Sequence, residues 1–584
     1  MDFGNDFVLL ESENKEKGNS RSILFKNPVD IICARRKTDL QDSFEKINQY
    51  LRKGFYLAGF FSYECGYDLE LSLNIFSRDY DYPRIWFGVY ECPLKQNKPY
   101  ISAVSDDFYV SMPVLETGYD EYKKNIKIIK ELIARGETYQ INYTSGYSFT
   151  VVGDIISFYA SMKKHQKVQY SALINFGKNY IASLSPELFF RIDKKRNISM
   201  KPMKGTAANN ASPAWLSGDE KNISENVMIV DMLRNDLGKI CIPGSVTVKS
   251  LYDVEKYETL LQMTSTISAR LSPDAGMNRI WESLFPCGSV TGAPKISSMK
   301  IINKLEGKPR GIYTGAIGYF APDGTAAFNV AIRTIDLRYL EKGKYAARMG
   351  TGSGIVYDSR AREEYRECQI KAGFLFQAIP DFALIETMFV DNGRIKYLSM
   401  HLRRLMSSAR YFNIRCDAGV IKSELRKYAA SLKGKKRLRL LLKTSGKIKL
   451  EHKNVNKTPC GIGRTTFSKY KTDSNNPFLY HKTTFRILYD SEYNKYSARG
   501  CEDVIFCNEK NQITEGAISN LFVCIKGKYF TPQLNCGLLN GIQRQVMIKR
   551  LKAAEIILYP EDLLKADKIL LTNAIRKTRR VQLA

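Results

Sequence analysis

Hydrophobic and polar residues alternate in short runs along most of the chain, and this period of two is typical of strands. Two aromatic runs, 59–64 and 86–90, predict buried strands. The first clear helix begins near Tyr119 and ends at Gly136, with apolar residues at helical spacing between them. From residue 137 to residue 371, strands, helices and glycine turns follow one another without a long linker. This pattern predicts one large domain with the first segment packed on it.

The pattern changes between residues 373 and 381, where Ile379-Pro380 precedes a new strand that starts at Ala383. The residues that follow have their own alternation of strands and helices, enough for an independent domain of about 200 residues. We therefore predict an N-terminal region at 1–113, a catalytic domain at 114–376 and a second domain at 381–584.

Composition narrows the class of protein. The chain has 584 residues, 44% of them hydrophobic, which is enough to bury several cores. It has no apolar run long enough to span a membrane, and its first twenty residues are polar, so we expect a cytoplasmic protein without membrane contact. Its twelve cysteines form no C-x-x-C pair and it has four histidines, which supports neither a disulfide framework nor a zinc site.

The net charge of +29 raises the question of nucleic acid. The densest basic run, 433–449, alternates like a two-stranded hairpin that turns at Ser445-Gly446, which favours a solvated sheet face. Because the remaining charge is diffuse, we expect no nucleic-acid partner and favour small polyanionic metabolites as ligands.

One lysine stands in an unusual local context, the run Lys-Pro-Met-Lys-Gly-Thr at 201–206. Pro202 and Gly205 predict a turn that would hold the amine of Lys204 at a pocket floor. A desolvated lysine is a nucleophile, although most lysines are solvated surface groups.

Acidic residues recur at helical spacing at 362–371. On a helix Glu364, Glu367 and Lys371 share one face. Glu225, in the predicted first turn of another helix, could face them across a cleft. Carboxylates without a nearby histidine suit Mg²⁺, whose coordination would be completed by water and an anionic substrate. Surface salt bridges are the alternative.

Eight motifs in order between residues 185 and 371 resemble the chorismate-utilising enzymes, while the first 110 residues match that family only loosely, at Gly59 and at 63–67. The eight motifs are Ser185-Pro186-Glu187, 202–206, 225–236 with Arg234-Asn235-Asp236, Gly292-Ala293-Pro294-Lys295, 311–319, Ile332-Arg333-Thr334, 352–356 and Glu364-x-x-Glu367-x-x-x-Lys371.

Three positions assign the branch of this family. Lys204 is typical of the aminodeoxychorismate-forming type, whereas anthranilate synthases resemble it but carry alanine there. Gln140 stands where water-adding relatives carry a general-base lysine, which implies ammonia as the final nucleophile. Gln262 stands where anthranilate enzymes carry a histidine for pyruvate release.

The resemblance also implies roles for the site residues. Lys204 would attack the ring and Glu187 would act as general acid, and Glu225, Glu364 and Glu367 would hold Mg²⁺. The substrate would be bound by Gln140, Thr206, Ser289, Tyr313, Arg333, Gly352 and Lys371. One departure is Ser289-Val290-Thr291, where Thr-x-Ser is more usual.

The C-terminal block resembles fold-type IV pyridoxal-phosphate enzymes. The matching motifs are Glu386-Thr387, 398–405 with His401 and Arg404, 480–484, 513–522, 539–544 and 571–574. By this resemblance Lys482 would carry pyridoxal 5′-phosphate and shuttle a proton, and Glu515 would hold the pyridine nitrogen. Phosphate would be bound by Arg404, Gly541, Ile542, Gln543 and Thr572.

Together the resemblances imply an α+β fold: a two-layer β-sandwich-like chorismate-binding domain with surrounding helices, followed by a fold-type IV α/β domain. They imply an enzyme that makes 4-amino-4-deoxychorismate from chorismate and ammonia and then eliminates pyruvate to give 4-aminobenzoate for folate. A separate glutamine amidotransferase would supply ammonia, and the lyase domain could form a homodimer.

Two alternatives stay open. One is an anthranilate-type synthase fused to an aminotransferase of the branched-chain or D-amino-acid type, and the other is a basic binding protein without activity. A last expectation concerns the start of the second domain, which is short before Glu386-Thr387 and would be reduced or completed by the synthase domain.

Overall fold

The computed structural model describes residues 3–12, 21–101, 108–208, 212, 214, 218–256, 260–377, 382–455 and 461–584. Two antiparallel sheets form the N-terminal two thirds of the molecule. In spatial order, the first sheet contains Gly292–Ala293, Gln140–Gly153, Lys344–Ile355, Thr334–Glu341, Asn179–Ser185, Tyr170–Phe176, Val8–Ser12, Arg21–Phe25 and Leu94–Gln96, with Phe108–Val110 and Val114–Leu115 also paired to Gln140–Gly153.

The second sheet packs on the first. Its strands, in spatial order, are Met203–Ala208, Leu260–Arg270, Asn197–Lys201, Leu188–Ile192, Ala326–Val330, Ala316–Phe320, Tyr56–Phe61, Ile85–Tyr90 and Asp30–Ala34, and Thr247–Lys256 pairs with Leu260–Arg270. The predicted strand at 86–90 is confirmed by Ile85–Tyr90, whereas the other strand spans Tyr56–Phe61, so residues 62–64 of the predicted run lie outside it.

The two sheets pack face to face, and helices cover their outer faces. Successive strand residues point to opposite faces. Phe60 accordingly packs between the sheets with Val8 and Ile174, while Phe61 packs on the outer side against Trp281. The α-helices are Leu40–Arg52, Cys65–Leu69, Tyr119–Ala134, Ile155–His165, Glu220–Gly238, Met277–Leu284, Lys295–Glu306, Ala361–Lys371 and Gly373–Gln377. This arrangement confirms the predicted sandwich with surrounding helices.

The N-terminal region contributes to both sheets. Val8–Ser12 pairs with Tyr170–Phe176, and Tyr56–Phe61 pairs with Ala316–Phe320. The region therefore shares its hydrophobic cores with the residues after 113. The proposed boundary near 376–381 falls partly on residues 378–381, which lie outside the described residues.

The C-terminal third has two further sheets. The smaller one, in order, contains Arg394–Ile395, Ala383–Asp391, Lys435–Lys443 and Ile448–Asn454, and it includes the predicted basic hairpin. The larger one contains Ile513–Gly516, Asp503–Asn508, Gly463–Thr472, Lys577–Leu583, Lys568–Asn573, Asn520–Ile525, Lys528–Pro532 and Ala554–Ile556. The helices are Leu398–Tyr411, Ala418–Ala430, Ile487–Ser497, Ile542–Leu551 and Pro560–Leu564.

Short 3₁₀ turns connect several of these elements. They are Lys37–Asp39, Leu71–Phe76, Gly288–Val290, Pro477–Tyr480 and Leu534–Cys536. Within the described ranges, no helix combines the length and the apolar character needed to cross a membrane.

Two candidate active sites

A cavity of about 800 Å³ opens between the sandwich and the helices Glu220–Gly238 and Ala361–Lys371. Most residues that the sequence predicted for the first site line it: Glu187, Lys204, Glu225, Ser289, Tyr313, Arg333, Gly352, Glu364, Glu367 and Lys371. Gln262 lines it as well. Residues that are up to about 180 positions apart in the chain therefore meet at one place.

Lys204 lies in a strand and not in the predicted turn, so that prediction was wrong. It belongs to Met203–Ala208, whose pairing with Leu260–Arg270 shifts register between Met203 and Thr206. Gly205 has a φ of +84° at this irregularity, which a residue with a side chain adopts only with strain. Lys204 lies within this irregular stretch, and its side chain lines the cavity.

The amine of Lys204 is largely buried and lies between the Glu225 carboxylate and Gly354. Its side chain is 13% exposed, and Nζ is 3.7 Å from Glu225 Oε2. Gly354 permits this packing, because a Cβ on it would lie 2.9 Å from the amine and 2.4 Å from Gln140 Nε2. Gln140 is buried, and its amide has no hydrogen-bond partner among the described residues. A buried amide without a partner is costly, which marks it as a group that would receive a ligand.

Glu187 is a buried carboxyl with an altered acidity. It lies just before the strand Leu188–Ile192, and Ser289 Oγ donates a hydrogen bond of 2.6 Å to its Oε1. Burial raises its pKa to about 7, while the Ser289 hydroxyl and the Lys204 charge act in the opposite direction. At neutral pH this carboxyl is therefore poised to donate or accept a proton.

The cationic side of the cavity comes from the loops 311–314 and 331–333 and from the helix Ala361–Lys371. Arg333 has a positive φ of 50°, an unusual conformation of the kind that clusters at ligand sites. Tyr313 is buried against Gly350, where a Cβ would overlap its ring. Lys371 Nζ donates to the Gly352 carbonyl oxygen at 2.8 Å and pairs with Glu367 at 2.7 Å.

The three predicted metal ligands line the same cavity. The helix that carries Glu225 begins at Glu220, where Asp219 caps it, so Glu225 lies in its second turn and not, as predicted, in its first. Glu364 is buried and accepts a hydrogen bond from Ser359 Oγ at 2.8 Å. Among the described residues no cluster of three metal-binding side chains converges. The carboxylate oxygens are ligands of the type that Mg²⁺ takes, and their separation would leave most positions on such an ion to water and substrate.

Two residues predicted for this site, Gln140 and Thr206, are not among the described residues that line the cavity, and several residues that do line it were not predicted. Gln140 reaches the cavity wall only at Gly354, and the side chain of Thr206 lies outside what the structure describes. Asn142, His165, Asn222, Glu363 and Arg366 line the cavity without having been predicted. Asn142 could have been found from its spacing, because residues i and i+2 of a strand share a face with Gln140.

A second cavity of about 280 Å³ lies between the two sheets of the C-terminal third. All the residues that the sequence predicted there line it: Arg404, Lys482, Glu515, Gly541, Ile542, Gln543 and Thr572. The helix Ile542–Leu551 starts at this wall with Gly541 as its N-cap, so its first N–H groups face the cavity and favour an anion. Thr572 is buried beside them.

Lys482 and Glu515 both have strongly shifted acidities. Burial, together with Arg486 and Arg404, lowers the pKa of Lys482 to about 7. Burial raises the pKa of Glu515 to about 8, against the hydrogen bond from the Leu539 N–H at 3.1 Å. Near neutral pH, Lys482 can therefore present a neutral amine and Glu515 a protonated carboxyl.

Arg404 is held in place by an acidic partner. Its Nε and Nη2 donate to the two oxygens of Glu386 at 2.9 and 2.8 Å, and His401 Nδ1 lies 2.6 Å from Glu386 Oε2. Although burial opposes the charge, Arg404 and His401 hold the pKa of Glu386 at about 2. The rest of the guanidinium remains directed at the cavity, as an anion such as phosphate requires.

Three further arginines line this cavity and were not predicted: Arg437, Arg486 and Arg576. Arg576 donates to the Tyr493 hydroxyl at 3.0 Å, and Arg486 lies 3.6 Å from Asp490. Arg437 makes no side-chain hydrogen bond or ion pair with any residue that the structure describes. Arg437 lies in the basic run that the sequence predicts to be a solvated face, so the structure corrects that prediction at this residue, while no sequence pattern indicated Arg486 or Arg576.

The donor set fits pyridoxal 5′-phosphate. It combines a buried lysine of depressed pKa, a buried carboxyl, and a wall of helix N–H groups, Thr572 and Arg404, which are the groups that such a cofactor needs for its carbonyl, ring nitrogen and phosphate.

Comparisons with known proteins agree with this division. A family described as chorismate binding enzyme matches residues 6–377, and amino-transferase class IV matches residues 383–584. Aminodeoxychorismate synthase of Streptomyces pristinaespiralis is 37% identical over 286 residues, which are 47% of this chain and 39% of that protein. The chain spans less than half the length of the aminodeoxychorismate synthases that it matches.

Anthranilate synthases are similar to the chain as well. Anthranilate synthase component 1 of Methanothermobacter thermautotrophicus is 31% identical over 413 residues, which are 62% of this chain and 87% of that protein. The crystal structure of anthranilate synthase component I from Streptococcus pneumoniae TIGR4 superposes with a TM-score of 0.52 at 26% identity, covering 60% of this chain and 91% of that one.

Proposed function

We propose that this chain, which belongs to the family of chorismate binding enzymes, aminates chorismate to 4-amino-4-deoxychorismate in the first cavity and converts that product to 4-aminobenzoate in the second. The observation that carries the proposal is the amine of Lys204, which is nearly buried in the first cavity together with Glu187. A nucleophile and a proton donor of pKa about 7 are what displacement of a ring hydroxyl requires.

In the first cavity Lys204 would attack ring C2 of chorismate. The ring double bonds would shift, the C4–O bond would break, and Glu187 would protonate the departing hydroxyl to give water. Ammonia would then attack C4, and the reverse shift would expel Lys204 as a free amine. The ring substituents on C1 and C3 are retained, so pyruvate is not lost at this stage.

The cavity offers separate groups for the two carboxylates of chorismate. Arg333 and Tyr313 would bind the enolpyruvyl carboxylate. The ring carboxylate would meet Mg²⁺ held by Glu225 and Glu367 with support from Glu364, and the ion would neutralise charge there. Lys371, fixed by the Gly352 carbonyl, adds positive charge to the same end.

In the second cavity pyridoxal phosphate, when bound, supplies an electron sink for the carbon that carries the substrate amine. The neutral amine of Lys482 would take and return the proton, and Glu515 would hold a proton at the ring nitrogen. Arg437, Arg486 and Arg576 exceed what one phosphate needs. Guanidinium groups bind carboxylates well, which favours a dicarboxylate substrate such as 4-amino-4-deoxychorismate.

Ammonia would come from a separate glutamine amidotransferase subunit, and the second domain would provide a homodimer contact. Both are proposals drawn from the family resemblance.

A second candidate is an anthranilate-type synthase joined to an aminotransferase, which is favoured by the 31% identity to an anthranilate synthase over 87% of its length. Lys204 and Gln262 disfavour this candidate, because anthranilate synthases carry alanine and histidine at these positions. The test is to incubate the purified chain with chorismate and ammonium, with and without added pyridoxal phosphate, and to identify the products. We expect 4-aminobenzoate with the cofactor, and accumulated 4-amino-4-deoxychorismate with cofactor-stripped protein. Anthranilate or an oxo acid would reject the proposal.

A further inference from the structure

The first domain reaches into the core of the second. Tyr109, which is 1% exposed, packs against Phe382 with ring centroids 4.4 Å apart, and its hydroxyl donates to the Phe412 carbonyl oxygen at 2.8 Å. Val152 of the first sheet belongs to the same buried cluster as Leu384 and Leu440. The start of the second domain is therefore packed on the synthase sandwich, which agrees with the expectation that the synthase domain completes it.

A chain of ring contacts leads from this interface to Lys482. Lys344 begins the strand Lys344–Ile355 of the first sheet, and its Nζ lies 4.2 Å from the centre of the Tyr411 ring. That ring stacks on His481 at 4.5 Å with an angle of 31° between the planes. His481 is the residue before Lys482, and its Nδ1 lies 2.9 Å from Ser408 Oγ.

The backbone around Lys482 is fixed on its other side. The Ile385 N–H donates to the Lys482 carbonyl oxygen at 2.7 Å, and Leu384 bridges to Thr483. The segment that carries Lys482 is thus held between the strand Ala383–Asp391 and the stacked rings. On the ring side, the segment is braced by a charge from the other domain.

We propose that Lys344 of the first domain is a positioning residue for Lys482, acting through the stacked rings of Tyr411 and His481. The ammonium group attracts the face of the Tyr411 ring, which holds that ring against His481 and restrains the next residue. Lys344 Nζ also pairs with Glu341 Oε1 at 3.2 Å within its own domain. The Lys344 side chain is only 16% exposed, so its attraction to the ring is less screened than at a free surface. The proposal rests on the proposed role of Lys482 as the lysine that binds pyridoxal phosphate.

A substitution at Lys344 also allows the second site to be tested while the first site serves as a control. Its strand runs on to Gly350 and Gly352 in the wall of the first cavity. At about 3.3 Å per residue, Lys344 lies roughly 20 Å along the strand from Gly350. A change at Lys344 that leaves the sandwich intact should therefore spare amination of chorismate, which serves as an internal control.

The experiment uses the full chain, stripped of cofactor and titrated with pyridoxal 5′-phosphate, with the absorbance of the bound cofactor as the signal. We expect Lys344→Met to weaken binding about 3- to 30-fold, the range for loss of a cation–π contact of this burial. Lys344→Arg keeps the charge and should restore affinity. Lys342→Met removes an exposed lysine two residues away and should change nothing.

Substitutions at Tyr411 separate positioning from general packing. Tyr411→Phe keeps a ring face for the cation and should bind cofactor almost normally, whereas Tyr411→Leu should bind as weakly as Lys344→Met. Combining Lys344→Met with Tyr411→Leu should add little, because both changes remove one contact. Fully additive effects, or a Lys344→Met protein that binds cofactor normally, would overturn the proposal. A wild-type chain that shows no bound-cofactor absorbance would instead overturn the proposed second-site function on which it rests.

Discussion

Replacing Ser289 with alanine tests whether Glu187 is the general acid of the first cavity. The Ser289 hydroxyl donates a 2.6 Å hydrogen bond to the Glu187 carboxylate, and both side chains are at least 94% buried. The bond stabilises the ionised carboxylate and therefore lowers its pKa against the effect of burial. Without it, the pKa of Glu187 must rise.

The size of the change follows from the bond. A buried hydrogen bond to a charged group contributes about 1.5–3 kcal/mol, and one pKa unit corresponds to about 1.4 kcal/mol. In Ser289→Ala the pKa of Glu187 should therefore rise by about one to two units, from about 7 to about 8–9. Because the acid must be protonated to act, the fall of kcat/KM on the alkaline side should move upward by the same amount.

The assay is the initial rate of amination at several chorismate concentrations, across a pH range from about 6 to about 10, at a fixed concentration of free ammonia. Ser359→Ala is the matched control, since it removes a buried hydroxyl that donates to Glu364 in the same cavity. Its alkaline limb should stay near pH 7. If the limb in Ser289→Ala does not move, or moves to lower pH, Glu187 is not the titrating acid.

Three further predictions concern the two lysines and the shared core. Lys204→Ala should slow amination more than about 100-fold while chorismate still binds in equilibrium dialysis, and near-normal turnover would contradict covalent catalysis. Because the depressed pKa of Lys482 is about 7, reconstitution of stripped protein with pyridoxal phosphate should accelerate from pH 6 to 8 and level off above that, as followed by absorbance. A rate that keeps rising to pH 10 would indicate an ordinary lysine. Phe61→Ala, which removes a ring stacked 3.7 Å from Trp281, should lower the free energy of unfolding by about 3–5 kcal/mol in denaturant titrations, and a loss below 1 kcal/mol would contradict the shared core.

The local chemistry of both sites was readable from the chain. The motif around Lys204 and the motif around Lys482 are each made of consecutive residues. Each can be recognised from particular side chains, or a glycine, at fixed offsets from the lysine. The period-two runs located the strands at 56–61 and 85–90 to within a few residues, because side-chain direction in a strand depends on local geometry alone. The start of the helix that carries Glu225 was misplaced, since its cap at Asp219 lies six positions before Glu225, where the acidic motif begins.

Long-range packing was not readable in this way. The bulge at Lys204 depends on the register of Leu260–Arg270, and the Ser289–Glu187 bond joins residues 102 positions apart. The gathering of Arg437, Arg486 and Arg576 in one cavity depends on three different elements. No local pattern distinguishes such an arginine from one that is solvated at a surface.

The sequence by itself thus determined which reactive groups the protein has and where most strands and helices run, because these follow from residue type and from spacing along the chain. Its family was indicated by the resemblance of its motifs. Only the tertiary structure decided how acidic Glu187 and Lys482 are and how Lys344 of one domain contacts Tyr411 of the other. Acidity and domain contact depend on burial and on charges contributed by distant residues, and these are fixed only when the sheets pack.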